Sequence, residues 1–276
     1  MTGNGTSNGS ITVINAMPTG IGCTIGIGLE TTARFTVGGQ AKTVEILSDP
    51  NEDPTMASIC VRRCYESLGL REPDGWHLVT DSNIPISRGL KSSSSACNAI
   101  LRAVLDETGG SMNDVELIRL GVKCAREAGV TVTGSFDDAC GCGLGGLVMT
   151  DNRKDEIVSR REIGRYDVVV HVPERKIRKK GLPLDRLHSL ADEMRDIIEM
   201  AMDRPFEAMT ANGRLISEAS DVDNSLAEKA LDIGALGAGM SGAGPAVAMV
   251  FPAGKGKEAA ETLGLDPAET ILSSTR

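Results

Sequence analysis

The sequence predicts a mixed α+β fold in which strands open each half of the chain and helices follow. Three observations carry this. Residues 11–48 hold β-branched, partly alternating runs separated by Gly-bearing turns, the pattern of half-buried strands. Helical periodicity then takes over in residues 54–68, in the run Ala96, Ala99, Ile100, Ala103 and Val104, and in residues 113–128. A second group of strand-like runs within residues 146–172 is again followed by helical segments, so strands and helices are grouped, which favours α+β layers over a regular alternating parallel sheet.

The elements follow in order. Residues 1–10 are rich in Gly, Ser and Asn and lack apolar side chains after Met1, so they read as a flexible tail. ITVINA, IGIGLETTARFTV and KTVEILS read as strands, with Thr19-Gly20 and Gly38-Gly39 as turns. Met56, Ile59, Cys60, Tyr65 and Leu68 mark one face of a helix over Pro54–Leu68, and Trp76–Thr80 is a strand. The Ser-rich stretch leads into a helix stopped by Gly109-Gly110, and Asn113–Ala128 is the next helix. TVTGSFDDACGCGLGG reads as a loop before strands at Gly146–Thr150, Glu156–Ile163 and Tyr166–Val172. Helices are expected at Pro183–Met202, Pro205–Ala219 and Ser225–Gly234. A Gly-rich loop, GALGAGMSGAGPA, then precedes a strand at Ala246–Phe251 and a helix at Lys255–Leu263. Two halves, 11–152 and 153–276, meet near Asp151-Asn152-Arg153.

Composition narrows the function classes. In 276 residues, 29 Lys and Arg against 38 Asp and Glu give a net charge of −9, which argues against a binder that relies on neutralising nucleic-acid phosphates. The one basic cluster, Arg175 to Lys180 with Arg160, Arg161 and Arg165 upstream, reads as a solvated loop or strand end. Seven aromatic residues are too few for base-stacking platforms, and no apolar run approaches the ~20 residues of a membrane span. Seven cysteines form an odd set in a chain that needs no staples, and no secretory pattern opens the sequence, so reduced thiols in a cytoplasm are expected. Cys60 and Cys64 lie one helical turn apart and Cys140 and Cys142 flank a glycine, but neither pair has the CxxC spacing of a zinc site.

Three segments carry chemistry. In Pro85-Ile86-Ser87-Arg88-Gly89-Leu90-Lys91-Ser92-Ser93-Ser94-Ser95-Ala96 a Gly-containing turn meets four consecutive hydroxyls at a helix start. Free backbone N–H groups, the positive end of the helix dipole and side-chain donors there converge on one anion, a phosphate cradle. A Ser-capped helix would need one serine only. In Gly237–Ala246, glycines at 237, 239, 242 and 244 precede a strand and permit close backbone approach to a ligand or to another backbone. In Gly134-Ser135-Phe136-Asp137-Asp138-Ala139, adjacent carboxylates sit in a Gly-flanked segment where one of them must usually turn inward. One could take a proton or hold a hydroxyl, and a second could serve Mg²⁺; the alternative is an Asp that caps a following element.

Together, in this order and at these distances, the three segments resemble the GHMP family of small-molecule kinases. The 85–96 segment is similar to the family's PxxxGLGSSAA motif, and Gly239-Met240-Ser241-Gly242-Ala243-Gly244 to its Gly-Ser-Gly phosphate loop. GSFDDA with Gly145-Gly146 is similar to the GxxDNA stretch of mevalonate kinases, which places Asp137 at the catalytic aspartate. Within the family, Asn15-Ala16-Met17-Pro18-Thr19-Gly20-Ile21-Gly22, GLKSSSSA and Thr133–Ala139 resemble the archaeal-type shikimate kinases, over roughly residues 11–272.

The resemblance implies two halves, one like ribosomal protein S5 domain 2 and one ferredoxin-like, with ATP at their junction. It implies ATP- and Mg²⁺-dependent phosphorylation of the shikimate 3-hydroxyl, a step toward chorismate and the aromatic amino acids. Residues 85–95 with Gly239, Ser241 and Gly242 would hold ATP, and Thr19, Gly20, Arg88, Asp137 and Ser241 the acceptor. Ser93, Ser95 and Glu127, ten residues before Asp137, are the magnesium candidates, with the register of the four serines open. Asp137 would deprotonate or orient the hydroxyl, and Lys91 would add charge near the β- and γ-phosphates. Arg88, Lys91, Arg34 and Arg102 are candidates for the acceptor carboxylate, Arg88 being preferred for its place in the motif. No nucleic-acid or membrane partner is expected, and a homodimer is left open. The competing readings are a homoserine kinase and a nucleotide-binding protein that keeps the fold without turnover.

Overall fold

The computed structural model describes residues 2–131, 134–174 and 183–276. Strands β1 (Thr2–Ile14), β2 (Ile21–Val37), β3 (Lys42–Ile46), β4 (Trp76–Ser82), β5 (Leu147–Asp151) and β6 (Glu156–Arg161) form the first sheet. The long β2 carries β1 along one side and β4 and β5 end to end along the other, all antiparallel; β3 joins β4 in parallel and β6 joins β5 antiparallel. Helices α1 (Thr55–Ser67), α2 (Ser92–Thr108), α3 (Asp114–Glu127) and α4 (Phe136–Leu144) pack with this sheet. The second sheet, in the order β10 (Thr270–Ser274), β7 (Tyr166–His171), β9 (Val247–Pro252), β8 (Gly237–Met240), is antiparallel throughout. It is accompanied by α5 (Leu184–His188), α6 (Ala191–Ala201), α7 (Pro205–Ser220), α8 (Ser225–Asp232) and α9 (Gly256–Thr262).

Residues 2–10, expected as a flexible tail, are the first part of β1. A Cβ on Gly3 would strike the carbonyl of Ala103, and one on Gly5 that of Ala99, so the backbone of α2 lies directly on this strand. The missing apolar side chains reflect that close approach and not solvation. A register shift at Asn8/Gly9 exchanges the faces of β1. Beyond it Ser10 and Thr12 point toward α4 and the start of α2, while Ile11 and Val13 enter the core.

That core joins the two sheets: Ile11, Val13, Ile25 and Ile27 pack with Val168, Val170, Met209 and Val250. A second core under α1 to α3 contains Phe35, Tyr65, Trp76, Ile100 and Val104, with the Phe35 and Trp76 ring centroids 5.7 Å apart. Each such side chain, fully buried, contributes roughly 1.5–3 kcal/mol. All seven cysteines are free and buried, and desolvation pushes the Cys64 and Cys142 thiols up to about 12.

Other expectations are corrected. The helix over Pro183–Met202 is two helices, α5 and α6, divided at Ser189-Leu190. The loop read across 136–144 contains α4, whose Gly141 lets it close on Thr24 and Ser10. Gly237–Met240, read as loop, is β8, and Gly239 packs against α7 with a Cβ position 3.0 Å from Gly213 Cα. β10, unanticipated, pairs Ile271 with Val170. The first sheet continues through Arg161, past the expected boundary at 150–155. Arg160 and Arg161 donate to the carbonyls of Leu144 and Met202, so these two side chains tie elements together; Arg165 is exposed, and the rest of the basic cluster, 175–180, lies outside the described residues.

Candidate active site

The loop before α2 and the turn after β8 are built against each other. Gly89 (φ +86°) leaves no room for a Cβ beside the Ser241 carbonyl. Ser241 Oγ donates to Gly89 O at 2.8 Å and accepts from Thr12 N at 3.2 Å, and Ala246 N donates to Arg88 O at 3.2 Å. Asn15 Nδ2 donates to Gly242 O at 2.9 Å, which ties the end of β1 to the same turn. Ser87 and Lys91 hold positive φ without being glycine, a cost kept at sites whose surroundings over-determine the backbone.

Lys91 is the N-cap of α2 in the left-handed region, and no side chain caps the helix. The first-turn N–H groups and the dipole are therefore left to a ligand. Ser92 and Ser93 line a cleft that continues between Ile46, Met56, Ile86, Ile100 and Val130. An apolar slot ending at an uncapped helix start suits a ligand with a flat apolar end and an anionic end. Arg88, whose buried guanidinium nitrogen Nη1 has no partner among the described residues, lines a neighbouring cavity with Pro85, Val172 and Glu269 and not this cleft. Lys91 Nζ donates to Thr12 Oγ1 at 2.7 Å and pairs with Asp138 at 2.9 Å, which leaves its third donor free. Gly242 N donates to Thr12 Oγ1 at 2.8 Å, bringing all three segments to one point.

Of the two adjacent carboxylates, Asp137 is the one that turns inward, 4% exposed in the first turn of α4. Asn152, at the end of β5, receives Asp137 N at 2.9 Å and donates from Nδ2 to Asp137 Oδ1 at 2.7 Å. Thr150 Oγ1 donates to Asn152 Oδ1 at 2.8 Å. The carboxylate lies against Gly22, where a Cβ would be 2.5 Å from Asp137 Cγ. Burial, chiefly, and the neighbouring Asp138 charge push Asp137 up to about 7, against the pull of Lys91 and the Asn152 bond. A carboxyl poised there can exchange a proton near neutral pH.

The predicted site residues do not all gather here. Ser95 is buried and donates to Ser7 O at 3.1 Å, so its hydroxyl is committed within the fold and Ser92-Ser93 is the pair that faces the cleft. Leu90 belongs to the core and Gly239 to β8. Glu127 is engaged by Arg62 and by Arg63 (2.7 Å), which hold its carboxyl below the usual range, so it is corrected from metal candidate to helix-linking ion pair. Among the described residues no cluster of three His, Cys, Asp or Glu could hold a metal. Arg102 donates to Thr6 O and Gly143 O and pairs with Asp114, while Arg34 is exposed on the half of β2 that pairs with β4, away from Gly22. Thr19 Oγ1 accepts from Ile21 N, and Gly20 (φ +80°) is covered by Arg153, so the 15–22 segment forms one wall beside Asp137. Sequence reasoning missed Thr12 and Asn152, and it quoted Gly22 within the 15–22 segment without placing it against Asp137. Asn152 carried a signal in retrospect, since an inward carboxylate needs a donor and Asp151-Asn152-Arg153 was read only as a boundary.

Comparison with known proteins agrees with this layout. The model for the GHMP kinases N terminal domain matches residues 56–146 and that for the GHMP kinases C terminal matches residues 188–265. The chain belongs to the GHMP kinase family. A GHMP kinase relative from Methanosarcina acetivorans, named shikimate kinase, is 39% identical over 91% of this chain and 85% of its own length. One of the same name from Pyrococcus abyssi is 34% identical over 89% of this chain and 90% of its own. The mevalonate kinase of Methanococcus jannaschii has the same fold, with a TM-score of 0.80 at 18% identity, 100% of this chain and 98% of that one being covered. Among the described residues of this family member, no helix is long and apolar enough to cross a membrane.

Proposed function

We propose that this GHMP kinase transfers the γ-phosphoryl group of ATP to the 3-hydroxyl of shikimate, giving ADP and shikimate 3-phosphate on the way to chorismate and the aromatic amino acids. The observation that carries the chemistry is the buried Asp137 opposite the uncapped start of α2. The acceptor's identity is supported by the curated relatives at 34–39% identity that bear the name shikimate kinase.

The apolar slot between α1 and α2 takes the nucleoside, and the triphosphate extends over the first turn of α2. The N–H groups of that turn and the third donor of Lys91 offset its charge. The Ser93 hydroxyl, on the wall of the same cleft, fits a magnesium ion brought by the nucleotide, since Mg²⁺ keeps waters and phosphate oxygens as most of its ligands. Bound there, the ion supplies charge neutralisation between the phosphates. Asp137 accepts the hydroxyl proton as the acceptor oxygen forms its bond to phosphorus, and the bond to the ADP oxygen breaks with its electron pair leaving on ADP. With a carboxyl near neutrality, Asp137 returns that proton to solvent between turnovers.

The test is a coupled assay of ADP release with Mg-ATP and shikimate, homoserine or mevalonate presented separately. Turnover confined to shikimate is expected. Turnover on another acceptor would overturn the substrate, and nucleotide binding without any turnover would favour a non-catalytic protein of this fold.

A further inference from the structure

The hydrogen bonds between α4 and the end of β5 give Asn152 a role that no motif announces. Its side chain does two things at once. The amide oxygen accepts Asp137 N, one of the backbone donors that the start of α4 leaves unpaired because Ser135, the N-cap, offers no side-chain cap. The amide nitrogen donates to Oδ1 of the same residue's carboxylate. One amide therefore grips both the backbone and the side chain of Asp137, which fixes the first side-chain torsion as well as the carboxylate plane. Thr150, two residues earlier and on the same face of β5, donates to the amide oxygen. The Asp137 N–H can only donate, so it dictates which end of the amide is oxygen and turns the nitrogen to the carboxylate; the Thr150 hydroxyl adds a second donor to that oxygen. Opposite, Gly22 carries no side chain, where a Cβ would strike the carboxylate and push it aside.

We infer that Asn152 is the positioning residue for Asp137, holding its carboxylate in one rotamer with one oxygen occupied and one turned toward Gly22, and that Thr150 braces the Asn152 amide in the orientation that the Asp137 N–H sets. The inference rests on the role proposed for Asp137 and deepens it. A donor to the ionised carboxylate favours the charged form, so Asn152 also opposes the burial that favours the proton. The other ionisable groups around Asp137 are Asp138, Lys91 and the thiols of Cys23, Cys140 and Cys142. Of these Asp138 raises it, Lys91 lowers it, and the thiols stay protonated in the working range, so a change of the acid limb on altering Asn152 reports the lost amide bond.

The experiment is the pH dependence of kcat/KM for the parent, Asn152→Leu, Thr150→Val and Asp137→Asn, with melting temperature and ATP affinity measured on each. Asn152→Leu is expected to lower kcat about tenfold or more, to leave ATP affinity within about twofold, and to move the acid limb up by about one pH unit. Thr150→Val, which keeps Asn152 and its bonds to Asp137 but removes the second donor that braces the amide oxygen, moves the limb the same way by less. An acid limb unmoved in both variants overturns the inference, whether or not kcat and melting temperature fall together, since a merely structural residue would lower those two and leave the limb in place. If Asp137→Asn keeps full turnover, the role of Asp137 itself fails. If that variant is inactive and the limb is unmoved by the other two, only the role of Asn152 fails.

Discussion

Replacing Asp137 with Asn should stabilise the protein at the pH where it destroys turnover. The folded carboxyl titrates at about 7 against an ordinary value of 3.8, a difference of about three units, and each unit corresponds to 1.36 kcal/mol. An acid whose folded value is raised binds more protons folded than unfolded between these two values, so stability declines as pH rises through the window. Above pH 7 the whole penalty of about 4 kcal/mol is present; below pH 4 both states are protonated and there is none. Asn carries no charge and still offers an oxygen to Asn152 Nδ2. Urea unfolding should therefore show Asp137→Asn more stable than the parent by up to about 4 kcal/mol at pH 8, by less at pH 6, and level with it at pH 4. In the same preparations turnover should fall by about 10²–10⁴. The parent's kcat/KM should drop about tenfold between pH 8 and pH 6, as the ionised fraction falls from about nine-tenths to about one-tenth. Equal stability at pH 8, or a gain that persists undiminished at pH 4, would refute the reasoning that burial holds Asp137 near neutrality.

Three other outcomes are expected. Gly5→Val should cost roughly 1–3 kcal/mol in urea unfolding, because the new side chain meets the backbone of α2 at Ala99; an unchanged midpoint would mean that β1 is not seated on that helix. Ser241→Ala removes both the donor to Gly89 O and the acceptor of Thr12 N, so it should cost about 1–3 kcal/mol in stability and raise KM for ATP, read from thermal unfolding and initial rates. Glu127→Gln should leave the magnesium dependence of turnover unchanged and barely move the urea midpoint, since its solvent-facing ion pairs with Arg62 and Arg63 are screened; a raised requirement for Mg²⁺ would return Glu127 to the metal site.

The long periodic helices were legible because their apolar stripes are wide and their ends are marked, as with Gly109 after α2 and the Asn113 capping box of α3. The phosphate segment was legible for a chemical reason: four hydroxyls at one helix start exceed what capping needs. Glycine misled in three places. Residues 2–10, α4 and β8 all look like loops by composition, yet in each the glycines let the backbone close on a neighbour, Gly5 on the Ala99 carbonyl, Gly141 on the Thr24 and Ser10 side chains and Gly239 on Gly213. Close packing and flexibility draw on the same residue, and no local pattern separates them. The fate of Ser95 was hidden because its partner, Ser7, is 88 positions away on a strand that was itself misread.

The burial of every thiol has a practical use. Maleimide and spin-label chemistry needs an accessible thiolate, and none of the seven sulfurs of the folded chain offers one, so the native protein is a silent background for site-directed labelling. Cysteines introduced at Val158 on β6 and Leu272 on β10, both more than half exposed, would be the only reactive positions, one on each sheet. A pair of labels there would read the separation of the two halves directly, with and without nucleotide, without first deleting any native cysteine.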